Sequence, residues 1–142
     1  MPEPFTYDPP MDPIAVLHED ADLLFVDKPS GLLSVPGRLA EHKDSLLNRL
    51  VALNGNIRLV HRLDMDTSGV MVFAKTAAAQ RGLGRLFEAR AVAKVYLAEV
   101  SGVVAGDEGV VDLPLMVDWP NRPLQKVDAA GKPARTKWRV LQ

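Results

Sequence analysis

His61-Arg62-Leu63-Asp64-Met65-Asp66-Thr67-Ser68-Gly69, followed at once by Val70-Met71-Val72-Phe73-Ala74, is the stretch on which the reading of this chain turns. Nine residues bring together an imidazole, a guanidinium, two carboxylates and two hydroxyls, and a glycine then opens an apolar run. The run does not alternate, which predicts a strand covered on both faces. Ionisable groups are ordinarily dispersed over a soluble surface, so their concentration in a turn beside a core strand calls for a chemical explanation.

Working outward, residues 14–17 and 23–26 are short apolar runs separated by the acidic turn His18-Glu19-Asp20-Ala21-Asp22, the pattern of a β-hairpin. Lys28-Pro29-Ser30-Gly31 ends the second strand, because proline cannot donate to a ladder. A cap at Asp44 or Ser45 and a stop at Gly55 frame a helix with Leu46, Leu47, Leu50, Val51 and Leu53 near one face. Residues 57–60 form a short strand that delivers the chain to His61. Downstream, Thr76 caps a second helix with Leu83, Leu86 and Phe87 inward, and Gly82 and Gly84 weaken it by about 1 kcal/mol each relative to alanine. Residues 92–100 alternate cleanly, with Val95, Leu97 and Glu99 on one face and Lys94, Tyr96 and Ala98 on the other. Residues 110–115, with a proline inside, predict an edge strand. Residues 118–123 are a turn-rich loop and residues 134–141 a last strand.

Prolines at 2, 4, 9, 10 and 13 make residues 1–13 an extended arm. The expected fold class is α+β, a mostly antiparallel mixed sheet with flanking helices, with residues 14–142 as one domain. At 142 residues, 47% hydrophobic and 25% charged, the chain is long enough for a single core. It has no cysteine, which excludes thiolate nucleophiles and Cys-based metal sites. His18, His42 and His61 lie far apart, which argues against a His-based metal site. No apolar run approaches the roughly 18 residues of a membrane span, and the first five residues lack the features of a signal peptide, so the cytoplasm is the expected compartment.

The net charge of −1 carries no global signal for nucleic acid. Its distribution does: seven acids precede the first basic residue, Lys28, and Arg122, Lys126, Lys132, Arg135, Lys137 and Arg139 near the other end face only Asp128. This permits a local basic face, the alternative being mixed solvated charge. In the turn, Asp64 beside Arg62 reads as an ionised carboxylate that Thr67 and Ser68 can hold, fit to act as nucleophile or general base. The structural alternative is an Asx-turn with a surface ion pair. Asp64-Met65-Asp66-Thr67 also matches the DxDxT pattern of Mg²⁺-dependent aspartate-nucleophile phosphatases, but His61-Arg62 interrupts the strand that should lead into that pattern.

His61-Arg62-Leu63-Asp64 with Thr67-Ser68-Gly69 resembles the signature of the RluA family of pseudouridine synthases. Asp27-Lys28-Pro29-Ser30-Gly31-Leu32 ahead of it and Lys94-x-Tyr96-Leu97 behind it are similar to two further family motifs, in the right order. The likeness runs from about residue 14 to the end. The segments 31–38 and 114–123 are most similar to members acting on both 23S ribosomal RNA and the anticodon arm of certain transfer RNAs. The resemblance implies RNA as partner, uridine isomerisation as reaction, and neither cofactor nor metal. It implies that Asp64 attacks the uridine, that Tyr96 sits against the uracil, and that Arg62 fills the space left by the flipped nucleotide. His61 would line the site or orient the turn, and Thr67, Ser68 and Gly69 would mount it. Tyr96 and His61 each also suit a purely structural place.

Lys28, Arg38, Lys43, Arg122 and Lys126 are candidates for phosphate contact, the alternative for each being solvated surface. A monomer outside the membrane is expected. The family's later motif, in which an Arg or Lys pairs with the catalytic aspartate, is not matched before residue 142, so a C-terminally truncated domain is expected. A buried carboxylate without its partner costs about 3–5 kcal/mol, which predicts weak or no activity for this chain alone. A non-catalytic RNA-binding fragment is then the alternative.

Overall fold

A computed structural model of the chain describes residues 5–142, so residues 1–4 of the expected arm lie outside the described residues. The chain divides into two compact units, Met1–Val95 and Tyr96–Gln142.

The first unit is built on a three-stranded antiparallel sheet in the order β1 (Ala15–Glu19), β2 (Leu23–Lys28), β3 (Gly69–Ala74). The hairpin expected around the acidic turn is present, with an irregularity between Val16 and His18. Asp20 closes it: its Oδ1 accepts from the Asp22 and Leu23 amides at 2.8 and 2.7 Å. In β2 and β3 the residues Leu24, Val26, Met71 and Phe73 are buried and paired Leu24↔Phe73 and Val26↔Met71, so they share one face. Leu32, Leu46, Leu50 and Ile57 pack on that face and complete the core.

Helix α1 (Leu46–Asn54) begins where Ser45 Oγ accepts the Asn48 amide at 3.2 Å and ends at Gly55, whose φ of +69° disfavours any side chain. Leu46 and Leu50 point inward as expected, but Val51 and Leu53 are exposed. The buried stripe is narrower because one helix on a three-stranded sheet presents only one row of its surface. Helix α2 (Ala77–Glu88) is capped by Thr76, packs on β3, and is unbroken at Gly82 and Gly84. Leu83 and Phe87 are half-buried, whereas Leu86, expected inward, is exposed. The strand expected at 57–60 reduces to a single bridge, Arg58↔Ala74.

The second unit contains two separate two-stranded ribbons, β4 (Glu108–Asp112) with β7 (Arg135–Arg139) and β5 (Leu115–Val117) with β6 (Gln125–Val127). The single edge strand expected at 110–115 is thus two strands split at Pro114, because proline cannot carry the ladder through. The loop 118–124 contains a short turn of 3₁₀ helix at Trp119–Asn121 and a cis Arg122–Pro123 bond. Residues 92–100 form no strand. Their alternation defines two faces, but a strand exists only as a pairing, and no described segment pairs with them. All described strand pairs are antiparallel, in three small sheets rather than one mixed sheet.

Candidate active site

The turn His61–Gly69 is held by the segment 28–34, and the holding is done almost entirely through backbone. Lys28 continues the buried face of β2 after Leu24 and Val26, at a position where the period-two pattern calls for an apolar side chain. Its exposure is 0%, and its ammonium donates to the carbonyls of Pro29 (3.0 Å), Leu32 (2.6 Å) and Met65 (2.8 Å). Three donors meet three acceptors, which is how a lysine becomes tolerable inside a protein. Burial pushes this ammonium below the ordinary lysine value, and the carboxylates of Asp66 and then Asp64 pull it back up.

Around this centre, the Gly31 amide donates to the Met65 carbonyl at 2.9 Å, and Ser30 Oγ donates to the Asp66 carbonyl at 2.8 Å. Ser34, also buried, donates from Oγ to the Leu63 carbonyl at 2.5 Å and accepts the Leu63 amide at 3.1 Å. The Thr67 amide closes a β-turn on the Asp64 carbonyl at 3.1 Å. Gly69, paired with Lys28 at the start of β3, has φ +132°, a conformation L residues rarely adopt.

The effect is to alternate the turn's exposure. Leu63, Met65 and Thr67 are half-buried, while the side chains of Arg62, Asp64, Asp66 and Ser68 are exposed. Asp64 therefore stands at the first position of a turn whose backbone is fixed on the opposite side. The Asx-turn alternative is not what the structure shows, since the Thr67 amide goes to the Asp64 carbonyl and not its carboxylate. Nor, among the described residues, does an ion pair join Arg62 to Asp64, or a hydroxyl of Thr67 or Ser68 bond its carboxylate. The expectation that those hydroxyls hold the carboxylate is corrected: carbonyl groups of the turn, not its carboxylate, are what the protein grips.

His61 serves the turn from inside. Its Nε2 accepts the Val72 amide at 3.1 Å, which puts the proton of the neutral ring on Nδ1, and the imidazole stacks on Phe87 with centroids 4.6 Å apart. Burial pushes its pKa down, and the charge of Lys94 adds to that. This is the orienting place, reached from β3 and α2 together.

The other expected residues are dispersed. Lys28 is no phosphate contact, because its protons are committed inside the cradle. Arg38 is exposed on a loop that Lys43 closes by donating to the Gly37 and Arg38 carbonyls at 2.7 and 3.3 Å. In the second unit Tyr96 is 59% exposed in the irregular segment. Arg122 lies over the Trp119 ring at 4.5 Å, and Lys126 pairs with Asp128 at 3.3 Å. Ser34 was not singled out as a site residue, although a lone hydroxyl in the run Leu32-Leu33-Ser34-Val35 marks a buried polar group in need of a partner.

The fold is that of the pseudouridine synthases: the human RNA pseudouridylate synthase domain containing 1 superposes with a TM-score of 0.67 over 89% of this chain and 54% of its own, at 23% identity. Residues 22–142 match the family model described as RNA pseudouridylate synthase, and the chain belongs to that family. It is 54% identical over 138 residues to the dual-specificity RNA pseudouridine synthase RluA of Vibrio vulnificus, covering 96% of this chain and 55% of that protein. The protein of the same name from Escherichia coli K12 is 52% identical, with 63% of its length covered. The chain thus spans between half and two thirds of the length of these curated relatives. Asp64 stands in a turn ahead of β3, not behind a strand, and this with the family membership sets the phosphatase reading aside.

Proposed function

We propose that this chain carries the catalytic-aspartate half of an RNA pseudouridine synthase, with residues 14–142 forming the N-terminal part of one catalytic domain. Its substrates would be uridines in both 23S ribosomal RNA and the transfer RNA anticodon arm, after the dual specificity named for its relatives. The observation that carries the reading is the exposed Asp64 side chain on a turn whose backbone is clamped by Lys28, Ser30, Gly31 and Ser34. A nucleophile must be free to meet its target yet fixed in position, and this arrangement meets both demands.

Asp64 attacks the uridine at ribose C1′ or at base C6, and the N1–C1′ bond breaks. The detached uracil turns, its C5 bonds to C1′, the bond to Asp64 breaks to release the carboxylate, and the C5 proton leaves to solvent while N1 takes one up. The pair Asp64 and Arg62, exposed two residues apart, suits a base-flipping enzyme: a guanidinium can stack where a nucleotide has left while the carboxylate meets the extruded base. Tyr96 packs on the uracil. Exposed Arg38 and Arg122 are left as the phosphate-contact candidates, with Lys126 held by Asp128. No helix among the described residues is long and apolar enough to cross a membrane. In this reading the enzyme acts as a monomer in the cytoplasm without metal or cofactor.

Release of tritium from RNA carrying [5-³H]uridine, with protein in excess over RNA, tests this. Asp64→Asn should lower the rate by at least about 10³-fold while leaving RNA binding within a few-fold. Undiminished release by the variant overturns the assignment of Asp64. Binding without release by the unsubstituted chain favours a non-catalytic RNA-binding role.

A further inference from the structure

The segment that clamps the turn is itself clamped from the N-terminal arm. Tyr7 Oη accepts the Leu33 amide at 3.0 Å and donates to the Asp44 carbonyl at 2.8 Å. The bond to Asp44 requires the phenol to keep its proton, and burial holds its pKa above the ordinary value. The ring of Tyr7 packs edge-on against His42, with centroids 5.7 Å apart, and Phe5 adds a second edge contact to His42 at 5.6 Å. Three residues further on, the Pro10 carbonyl accepts Arg49 Nη1 at 2.9 Å, while Arg49 Nε and Nη2 grip both oxygens of Asp44 at 2.8 and 2.7 Å. Pro10 Cδ also lies 3.4 Å from where a Cβ on Gly31 would stand.

Leu33 is the joint. Its amide is bound by Tyr7 and its carbonyl by the Leu46 amide at 2.8 Å, and the Ser34 carbonyl takes the Leu47 amide at 3.1 Å. From the same short segment Ser34 reaches across to both backbone groups of Leu63, the residue before Asp64. The path from arm to nucleophile is therefore continuous: Tyr7, Leu33, Ser34, Leu63, Asp64. Every link is a hydrogen bond of 3.1 Å or less, or a neighbouring residue in the chain.

We propose that Tyr7 is a positioning residue, and that the arm at 5–13 sets the place of Asp64 by holding the 31–34 segment against α1. This rests on the reading of Asp64 as nucleophile. An arm that served stability alone would need only to bury area. Here its one half-buried hydroxyl satisfies a backbone amide two residues from Gly31 and next to Ser34, two of the groups that hold the turn.

Tyr7→Phe tests it, since the ring contacts stay and only the hydroxyl goes. Kcat should fall about tenfold with KM within twofold, because a displaced nucleophile weakens chemistry rather than RNA binding. Amide hydrogen exchange should quicken about tenfold at Leu33, Gly31 and Leu63 and stay unchanged in α2. Ala78→Gly, at an exposed position of α2, is the control for lost stability without a broken path. Should Tyr7→Phe fail to fold, Arg49→Lys keeps the charge, loses the fork to Asp44, and carries the same expectations. Faster exchange confined to Leu33 with kcat unchanged overturns the proposal, as does an equal loss of kcat in Ala78→Gly. If Asp64→Asn retains activity, the catalytic reading fails, and the exchange pattern still decides whether the arm braces the turn.

Discussion

Leu24, Val26, Met71 and Phe73 in the first unit are wholly removed from solvent, whereas Leu97 is 86% and Val103 100% exposed in the second. Both regions contain short antiparallel strands. The difference lies in layers. The first unit has a third strand, one helix with the 31–34 segment over one face of the sheet, and a second helix packed on β3. The second unit has only two-stranded ribbons, and a lone ribbon has no second layer on which to bury a face. Every buried residue of the described structure lies between positions 24 and 74. The turn and its cradle lie in that same span.

Phe73→Ala should give the largest effect that can break this comparison. It removes a fully buried ring from the centre of the core and should cost about 3–5 kcal/mol, read as a fall in the urea midpoint. A loss below about 1 kcal/mol would mean that the first unit is no better packed than the second. Lys28→Met comes next. It keeps most of the side chain's volume but leaves the carbonyls of Pro29, Leu32 and Met65 without their shared donor, at a cost of about 3 kcal/mol. If instead the variant matches or exceeds the parent in stability, the buried ammonium is a burden kept for another reason, and its clamping role falls.

The parts of this fold that were legible in the sequence are those decided within a few residues. Ser45 and Thr76 cap their helices because hydroxyls there meet amides three residues on, and Gly55 ends one by its backbone freedom alone. The run at 70–74 announced a covered strand, and only Val70 at its rim is exposed. What was illegible depends on distant partners. The alternation at 92–100 is clean, yet pairing is a property of two segments. Asp64 stands out in the sequence as the candidate nucleophile through its company. Lys28 was not legible as a buried clamp, because nothing local to β2 shows that three carbonyls from 29, 32 and 65 converge on it. The same limit hid Ser34 and Tyr7, whose partners lie 29 and 26 residues away.

A smaller effect should come from pH. The folded chain holds His61 neutral, below its ordinary value of 6.5, so between that value and the lowered one the unfolded chain binds more protons. Stability from this group is complete above 6.5 and declines as pH falls through that window. Protonation would also turn the acceptor of the Val72 amide into a donor. Urea midpoints at pH 7 and pH 5 should therefore differ more in the parent than in His61→Gln. Equal differences would show that the imidazole is not held neutral, and that the tie between the turn and β3 is weaker than its geometry suggests.

Leu97→Ser should do almost nothing to stability, and that makes it the sharpest check on the second unit. A leucine that is 86% exposed has little apolar area to lose, so the change should stay within about 0.5 kcal/mol. The same replacement at Leu24 would strand a hydroxyl in the core and cost several times more. Leu97 follows Tyr96, and the alternation around it marks which face was meant to be covered. A loss at Leu97 approaching that at Leu24 would show that residues 96–100 find a covering surface in solution, with Tyr96 then fixed on a strand rather than carried on an open segment.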